Sequence, residues 1–373
     1  MLKPDVEEYA KIRVVGVGGG GTNAVNRMIE VGLVGVQYVA VNTDLQVLDL
    51  SAADTKLQIG ADLTKGLGAG GDPELGRQAA EAGRQDLLMA LDDADMVFIT
   101  AGMGGGTGTG ASPVIANVAR DIGALTIGVV TKPFTFEGPH RQAVADEGTT
   151  QLKEACDTLI VIPNDRLLAL TDKQLSVIEA FAFADTILQQ GVQGISEVIV
   201  VPGLINLDFA DVRAVMANAG TALMGIGHAS GEHRAHDAAQ QAIASPLLET
   251  TIAGARKVLV NVTHGRDLLL DELREAMEVI SEAAAGEGGA ADLVVGSVID
   301  DTAEGDVRIT VLATGFDAER KEPAKPAKKP PPEEPGEQAR EVEESRKRPS
   351  EERAELPTYD EDDIDIPAFL RRR

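Results

Sequence analysis

The sequence lacks several things at once. It has one cysteine, no tryptophan and only 3% aromatic residues in 373. A single thiol, Cys156, excludes an internal disulfide and suits a reducing compartment. Its setting, "EACDTLIVIP", reads as a helix end entering a buried strand, so the thiol is a packing residue and not a nucleophile. No apolar run approaches the ~18 residues of a membrane span. The opening "MLKPDVEEYAKIRVV" has neither an apolar h-region nor a cleavage-like site. A soluble, cytoplasmic protein is expected. Positive charge is also scarce: 34 Lys and Arg face 60 Asp and Glu, for a formal net charge of −26. That balance opposes unaided binding to nucleic acid or an anionic membrane. His233 and His236 stand three apart on an expected helix without a third ligand at a defined spacing, so no metal site is expected.

What the chain does have is a repeated strand–loop–helix pattern from residue 11 onward. "KIRVVGVG" is a β-branched run followed by the helical "TNAVNRMIEVG", with Gly32 as its stop. "VQYVAVNTD", "ADMVFITAG", "LTIGVVTK" and "CDTLIVIPND" read as further strands. Ser112 and Pro113 are expected to cap and start the helix between the third and fourth of these five strands. Such repeats imply a parallel sheet covered by helices. A long helix is expected from Asp172 to about Gln190. Beyond it, "EVIVVPG", "RKVLVNVTHG", "ADLVVGSVID" and "DVRITVLATG" read as strands, with the final strands pairing directly. Three helical runs, "FADVRAVMANAG", "HRAHDAAQQAIA" and "LDELREAMEVISEAA", separate the first three of them.

The expected fold is therefore α/β. An N-terminal Rossmann-like domain (11–171) with a parallel sheet follows a flexible N-terminus (1–10). A central helix and connection (172–196) lead to a second α/β domain (197–316) with a mixed sheet. Residues 317–373 hold 9 of the 17 prolines and 30 charged residues, too little apolar area to offset chain entropy. They divide into a disordered linker (317–359) and a terminal peptide (360–373).

Glycine carries the functional signal. "GVGGGG" (16–21) and "GGGTGTG" (104–110) each join a strand's carboxyl end to a helix start. Free N–H groups and the helix dipole make that junction an anion site, and glycine lets a phosphate touch the backbone. The first loop with Asp44 also satisfies a dinucleotide fingerprint, Gly16-x-Gly18-x-x-Gly21, which would suit an NAD-dependent oxidoreductase. A second, denser loop beside it suits a triphosphate held from two sides. Neither loop contains the lysine of a P-loop, which leaves the charge to amides, a metal ion and Arg141.

"GGGTGTG" resembles the signature of the tubulin/FtsZ family of GTPases. "GVGGGGTNAVNRM", "VNTD", "KGLGAGGDPE", "TKPFTFEG", "IPNDRLL", "GLINLDFADVR", "ASGE" and "SPLLE" follow the order found in the bacterial division branch, FtsZ. "DIDIPAFLRRR" resembles that branch's terminal peptide. The resemblance covers about residues 11–316 and the last dozen. It implies a GTPase that polymerises head to tail into protofilaments, forms the cytokinetic ring at midcell, and uses GTP/GDP with Mg²⁺, K⁺ being a second candidate cation. A tubulin-like GTPase of plasmid segregation or cell shape is the related alternative.

By the matching motifs, Gly19, Gly20, Gly21, Thr22 and Asn23 would hold nucleotide, and Gly104, Gly105, Gly106, Thr107 and Gly108 would cradle phosphates. Glu137 and Arg141 would reach ribose and phosphates, and Asp185 the base. A carboxylate can accept both N1–H and N2–H of guanine, whereas adenine offers an acceptor at N1. Thr22 and the Pro139–His140 pair depart from the usual family pattern.

The loops themselves hold no obvious general base. "NLDFAD" offers Asn206, Asp208 and Asp211, which the residues alone leave open to an ordinary helix-cap role. The resemblance assigns them to catalysis on the neighbouring subunit's GTP. Ile364, Ile366, Pro367, Phe369 and Leu370 form an apolar cluster on an acidic tether, which suits docking to division adaptors. Contact with membrane would then be indirect.

Overall fold

A computed structural model describes residues 10–170, 175–201, 203–248, 250–286 and 289–316, all within one unit. Eleven strands appear among them. The first six are β1 (Ile12–Val17), β2 (Val36–Asn42), β3 (Thr55–Gln58), β4 (Met96–Gly102), β5 (Leu125–Lys132) and β6 (Thr158–Pro163). The rest are β7 (Gly203–Ile205), β8 (Gly220–Ser230), β9 (Lys257–His264), β10 (Asp292–Ile299) and β11 (Asp306–Thr314). The helices of the first half are α1 (Gly18–Val31), α2 (Leu45–Asp49), α3 (Ala61–Thr64), α4 (Pro73–Ala82), α5 (Arg84–Leu91), α6 (Gly106–Asp121), α7 (Pro139–Ala155) and α8 (Asn164–Leu167). They are followed by α9 (Val177–Val200), α10 (Phe209–Met216), α11 (Arg234–Ile243) and α12 (Leu270–Ala284).

The sheet order is β3-β2-β1-β4-β5-β6-β8-β11-β9-β10-β7. The first six strands are all parallel. β11 runs antiparallel to both β8 and β9, so the second half is mixed, as expected. Parallel pairing requires crossovers, and helices cover both faces. Val14 turns toward α1 and α9, while its neighbour Val15 turns toward α5 and α6. In the second half, Val258, Val260 and Val262 of β9 pack with the alanines of α11 and with Ile280 of α12. Every strand of the parallel half ends on one edge, and that edge carries the site.

Four expectations fail in instructive ways. First, α6 begins at Gly106, so Pro113 lies inside it and Ser112 is no cap; the serine hydroxyl donates to the Gly108 carbonyl. A glycine-rich first turn looks like loop in sequence. Second, α9 does not stop near Gln190 but runs to Val200, and it starts at Val177 behind the Ser176/Glu179 capping box. Gly191 and Gly194 lie mid-helix because they press on Val129, Met224 and Thr310. The β-branched "EVIVV" therefore belongs largely to a helix, with Val198 buried in the core. Third, β8 went unread because Gly225 and Gly227 dilute its pattern. A Cβ at either would stand 2.0 or 1.9 Å from a carbonyl of α11. Fourth, β10 and β11 do not pair with each other: β9 lies between them. The β9–α12–β10 crossover makes a parallel pair, and β11 then takes the other edge of β9.

Candidate nucleotide site

The carboxyl ends of β1, β2, β4, β5 and the residue after β6 meet around a cleft of about 520 Å³ through Val17, Asn42, Gly102, Thr131 and Asn164. α1 and α6 start at its floor, and neither start has a side-chain cap or an acidic residue in its first turn. Their first N–H groups and dipoles are thus left for an anion.

The glycines there sort into two kinds. A Cβ on Gly19 or Gly105 would meet no protein atom within 4 Å, and both residues line the cleft. A Cβ on Gly21 would stand 2.3 Å from the Thr100 carbonyl oxygen, so this glycine serves helix–strand packing. Gly104 sits at φ +97°, a left-handed conformation that glycine adopts freely. Its N–H donates to Thr109 Oγ1 at 2.8 Å.

Of the residues expected at the site, Gly19, Gly20, Asn23, Gly105, Gly106, Thr107, Gly108, Glu137, Arg141 and Asp185 all line the cleft. Gly21, Thr22 and Gly104 are not among the lining residues. The Thr22 hydroxyl is spent inside α1, donating to the Gly18 carbonyl at 2.8 Å. Pro139 takes the first position of α7, where its missing N–H costs nothing. The Glu137–Arg141 ion pair is intact across it. Glu137 also accepts the Phe134 N–H at 2.9 Å, which fixes the carboxylate at the rim.

Several wall residues were missed. Gly68, Ala69 and Gly71 come from a third glycine run, legible in "KGLGAGGDPE" but without the strand–helix junction that marks the other two. Asn42 and Asn164 line the cleft at 2% and 5% exposure. Asn42 Nδ2 and Asn164 Oδ1 have no hydrogen-bond partner, one a buried donor and the other a buried acceptor. Buried polar atoms are nearly always satisfied, so both fit a polar guest. Phe181 lines the same end as Asn164 and Asp185, edge-on to Phe134 with centroids 5.5 Å apart. In a chain so poor in aromatics, a phenyl face in the cleft lining suits a planar ring.

Burial pushes the Asp185 carboxyl up to about 7, against a smaller downward pull from Arg27. N–H donors of a guanine would hold it ionised. Asp44 lines the cleft too, and one oxygen of its carboxylate accepts from the Gln46 and Val47 N–H groups to cap α2.

The acidic loop lies at the other end. Asp185 is about 22 Å along α9 from Val200 at ~1.5 Å per residue. Val200 packs on Gly35, at the amino edge of β2. α10 ends against the amino edge of β6, where Thr158 donates to the Met216 carbonyl and Asp157 accepts the Asn218 N–H. The three acidic-loop residues are locally occupied. Asn206 Oδ1 accepts the Gly203 N–H at 2.5 Å. Asp208 and Asp211 cap each other's backbone, at 2.8 and 3.3 Å, with one oxygen apiece. Their second oxygens are left for another partner. The helix-cap role is real, and it orients both carboxylates.

The Tubulin/FtsZ family GTPase-domain model matches residues 11–172, and the FtsZ family C-terminal-domain model matches residues 220–317. An empty FtsZ dimer structure from M. jannaschii is 45% identical with a TM-score of 0.78, covering 83% of this chain and 89% of its own. The chain belongs to the FtsZ family. CetZ2 from Haloferax volcanii, solved as a GTPγS-bound protofilament, is 23% identical at a TM-score of 0.69, covering 81% and 92%. CetZ1 from the same organism, a GDP-bound monomer, is also 23% identical at 0.70, covering 82% and 94%. At that distance the two CetZ proteins share the fold. Most of the residues that line the cleft lie within the stretch matched by the GTPase-domain model. The expected docking residues Ile364, Ile366, Pro367, Phe369 and Leu370 lie outside the described residues.

Proposed function

We propose that the chain binds GTP in this cleft and hydrolyses it only between copies, assembling head to tail into the filaments of a bacterial division ring. The phosphates lie on the starts of α1 and α6. Guanine meets Asp185 and Asn164, with Phe181 against its face. Asp208 and Asp211 of the next subunit orient the attacking water, and Asn206 holds their loop. Mg²⁺ accompanies the nucleotide and neutralises phosphate charge, which an acidic protein without a P-loop lysine needs. The terminal peptide docks the filament to membrane-bound adaptors, so the protein works in the cytoplasm, at midcell.

The observation that carries the reading is the separation of two half-sites along α9. A triphosphate cradle stands at one end, and two capped, outward-facing carboxylates stand at the other. Three acids line the cleft: Asp44 caps α2 with one oxygen, Glu137 is held in an ion pair, and Asp185 is read as the contact to the base. Two structures of relatives, an FtsZ dimer and a CetZ2 protofilament, are themselves assemblies.

Mixing tests it. Asp211→Ala keeps GTP binding and loses turnover; Gly105→Ala loses GTP binding and keeps the acidic loop. Each alone is inactive, and a mixture regains phosphate release, because intact halves meet at mixed junctions. Turnover by Asp211→Ala alone at the wild-type rate, or activity per molecule that stays flat on dilution, overturns the shared site.

A further inference from the structure

The acidic loop hangs from a very small strand. β7 has three residues and is the last strand of the sheet. Among the described residues its strand partner is β10, through Ile205 opposite Ser297 and Gly203 opposite Val298, with a register shift between the two. Asn206 follows at once. Whatever fixes Ser297 therefore fixes where Asp208 and Asp211 begin.

Ser297 is 2% exposed and His264 is 5% exposed. Their side chains meet at 2.7 Å between Ser297 Oγ and His264 Nε2. His264 Nδ1 lies 2.5 Å from the Gly265 carbonyl oxygen. A carbonyl can only accept, so Nδ1 carries the proton, Nε2 is the acceptor, and the Ser297 hydroxyl donates. Both ring nitrogens are then satisfied.

His264 is well anchored. It ends β9, opposite Ile299 of β10 and Val307 of β11. Its carbonyl accepts the Asp300 N–H at 2.9 Å. The loop beyond it is pinned by Arg234, which is buried and donates to the Asp267 carboxylate and carbonyl and to Glu272. Asp267 also accepts the Gly305 N–H. A rigid corner thus ends in one imidazole nitrogen that accepts from Ser297.

We infer that His264 and Ser297 form a buried positioning pair for hydrolysis: His264, through Ser297, sets the register of β7 and so the aim of the Asp208/Asp211 loop at the neighbouring copy's nucleotide. Neither residue touches the nucleotide. The inference rests on the reading that this loop serves the next subunit.

Full-length variants separate the two. Ser297→Ala removes the donor. His264→Asn keeps a donor for the Gly265 carbonyl but places nothing at Nε2, whereas His264→Gln puts an acceptor oxygen there. Ser297→Ala and His264→Asn each lose about tenfold in kcat per polymerised subunit, the scale expected when a reacting group is displaced by a fraction of an ångström. GTP affinity and assembly threshold stay at wild-type values, while the melting temperature falls by a few degrees because a buried polar atom loses its partner. His264→Gln recovers most of the rate, and the Ser297→Ala/His264→Asn double variant loses no more than either single one. Wild-type kcat in Ser297→Ala overturns the inference. So does a loss that GTP affinity or the assembly threshold shares, or one that His264→Gln fails to repair. Asp211→Ala is measured alongside. If it turns over normally, the shared-site reading falls; if it is inactive while Ser297→Ala is normal, the positioning pair alone falls.

Discussion

Asp185 offers the sharpest test of the base end of the cleft. Its carboxyl is raised from an ordinary 3.8 to about 7 by burial. In the unfolded chain it regains its ordinary value. A carboxyl that binds its proton more tightly when folded makes stability fall as pH rises from about 4 to about 7, after which the cost is constant. Each pH unit is worth about 1.4 kcal/mol, so the full gap corresponds to about 4 kcal/mol. The side chain is only half-buried in an open cleft, and screening by water reduces this to about 1–2 kcal/mol. Asp185→Asn is neutral in both states and escapes the cost. Nucleotide-free Asp185→Asn is therefore expected to melt about 2–4 °C above wild type at pH 8, and level with it near pH 4. Guanine binding should move the opposite way. Loss of a charged acceptor for two N–H groups costs roughly 2 kcal/mol, or about thirtyfold in GTP affinity. Xanthosine triphosphate, with a carbonyl in place of the guanine amino group, should bind the variant better than GTP does. Thermal melts of nucleotide-stripped protein at pH 8 and pH 4.5, with binding titrations of both nucleotides, decide it. Equal melting at pH 8, or unchanged GTP affinity, would refute the assignment of Asp185 as a buried, base-reading carboxylate.

Other consequences can be measured directly. Gly19→Ala and Gly105→Ala place a methyl in open space, so both should fold with wild-type circular dichroism and melting temperature while GTP binding falls at least tenfold. Gly21→Ala, whose methyl meets the Thr100 carbonyl oxygen, should instead lose about 1–3 kcal/mol in urea unfolding. Gly225→Ala drives a methyl against the Ala242 carbonyl at 2.0 Å and should destabilise by a similar amount, seen as a lower urea midpoint. Asn164→Ala removes an acceptor at the base end and should weaken GTP more than ATP; equal loss for both would place Asn164 away from the base.

Local chemistry and tertiary packing divided the work here. The parallel half of the sheet was legible because β-branched runs such as "IRVVGV" alternate with amphipathic helices, a pattern that holds wherever both faces are covered. The two glycine runs at the cleft were legible as strand–helix junctions whose N–H groups suit an anion, although several of their glycines, Gly21 among them, serve close packing. Glu137, Arg141 and Asp185 needed the family resemblance, since a lone acid or base on a helix has no local signature. Packing decided the rest. "EVIVV" has strand propensity yet completes α9, because its apolar faces meet the core there. β8 hid behind glycines whose purpose, contact with α11, exists only once the two elements meet. Asn42, Asn164 and Phe181 became site residues only when strand ends far apart in sequence converged. Residue pattern settles which backbone each segment prefers, since that preference is local. Which side chains share a cleft is a property of the assembled sheet, and no stretch of chain carries it alone.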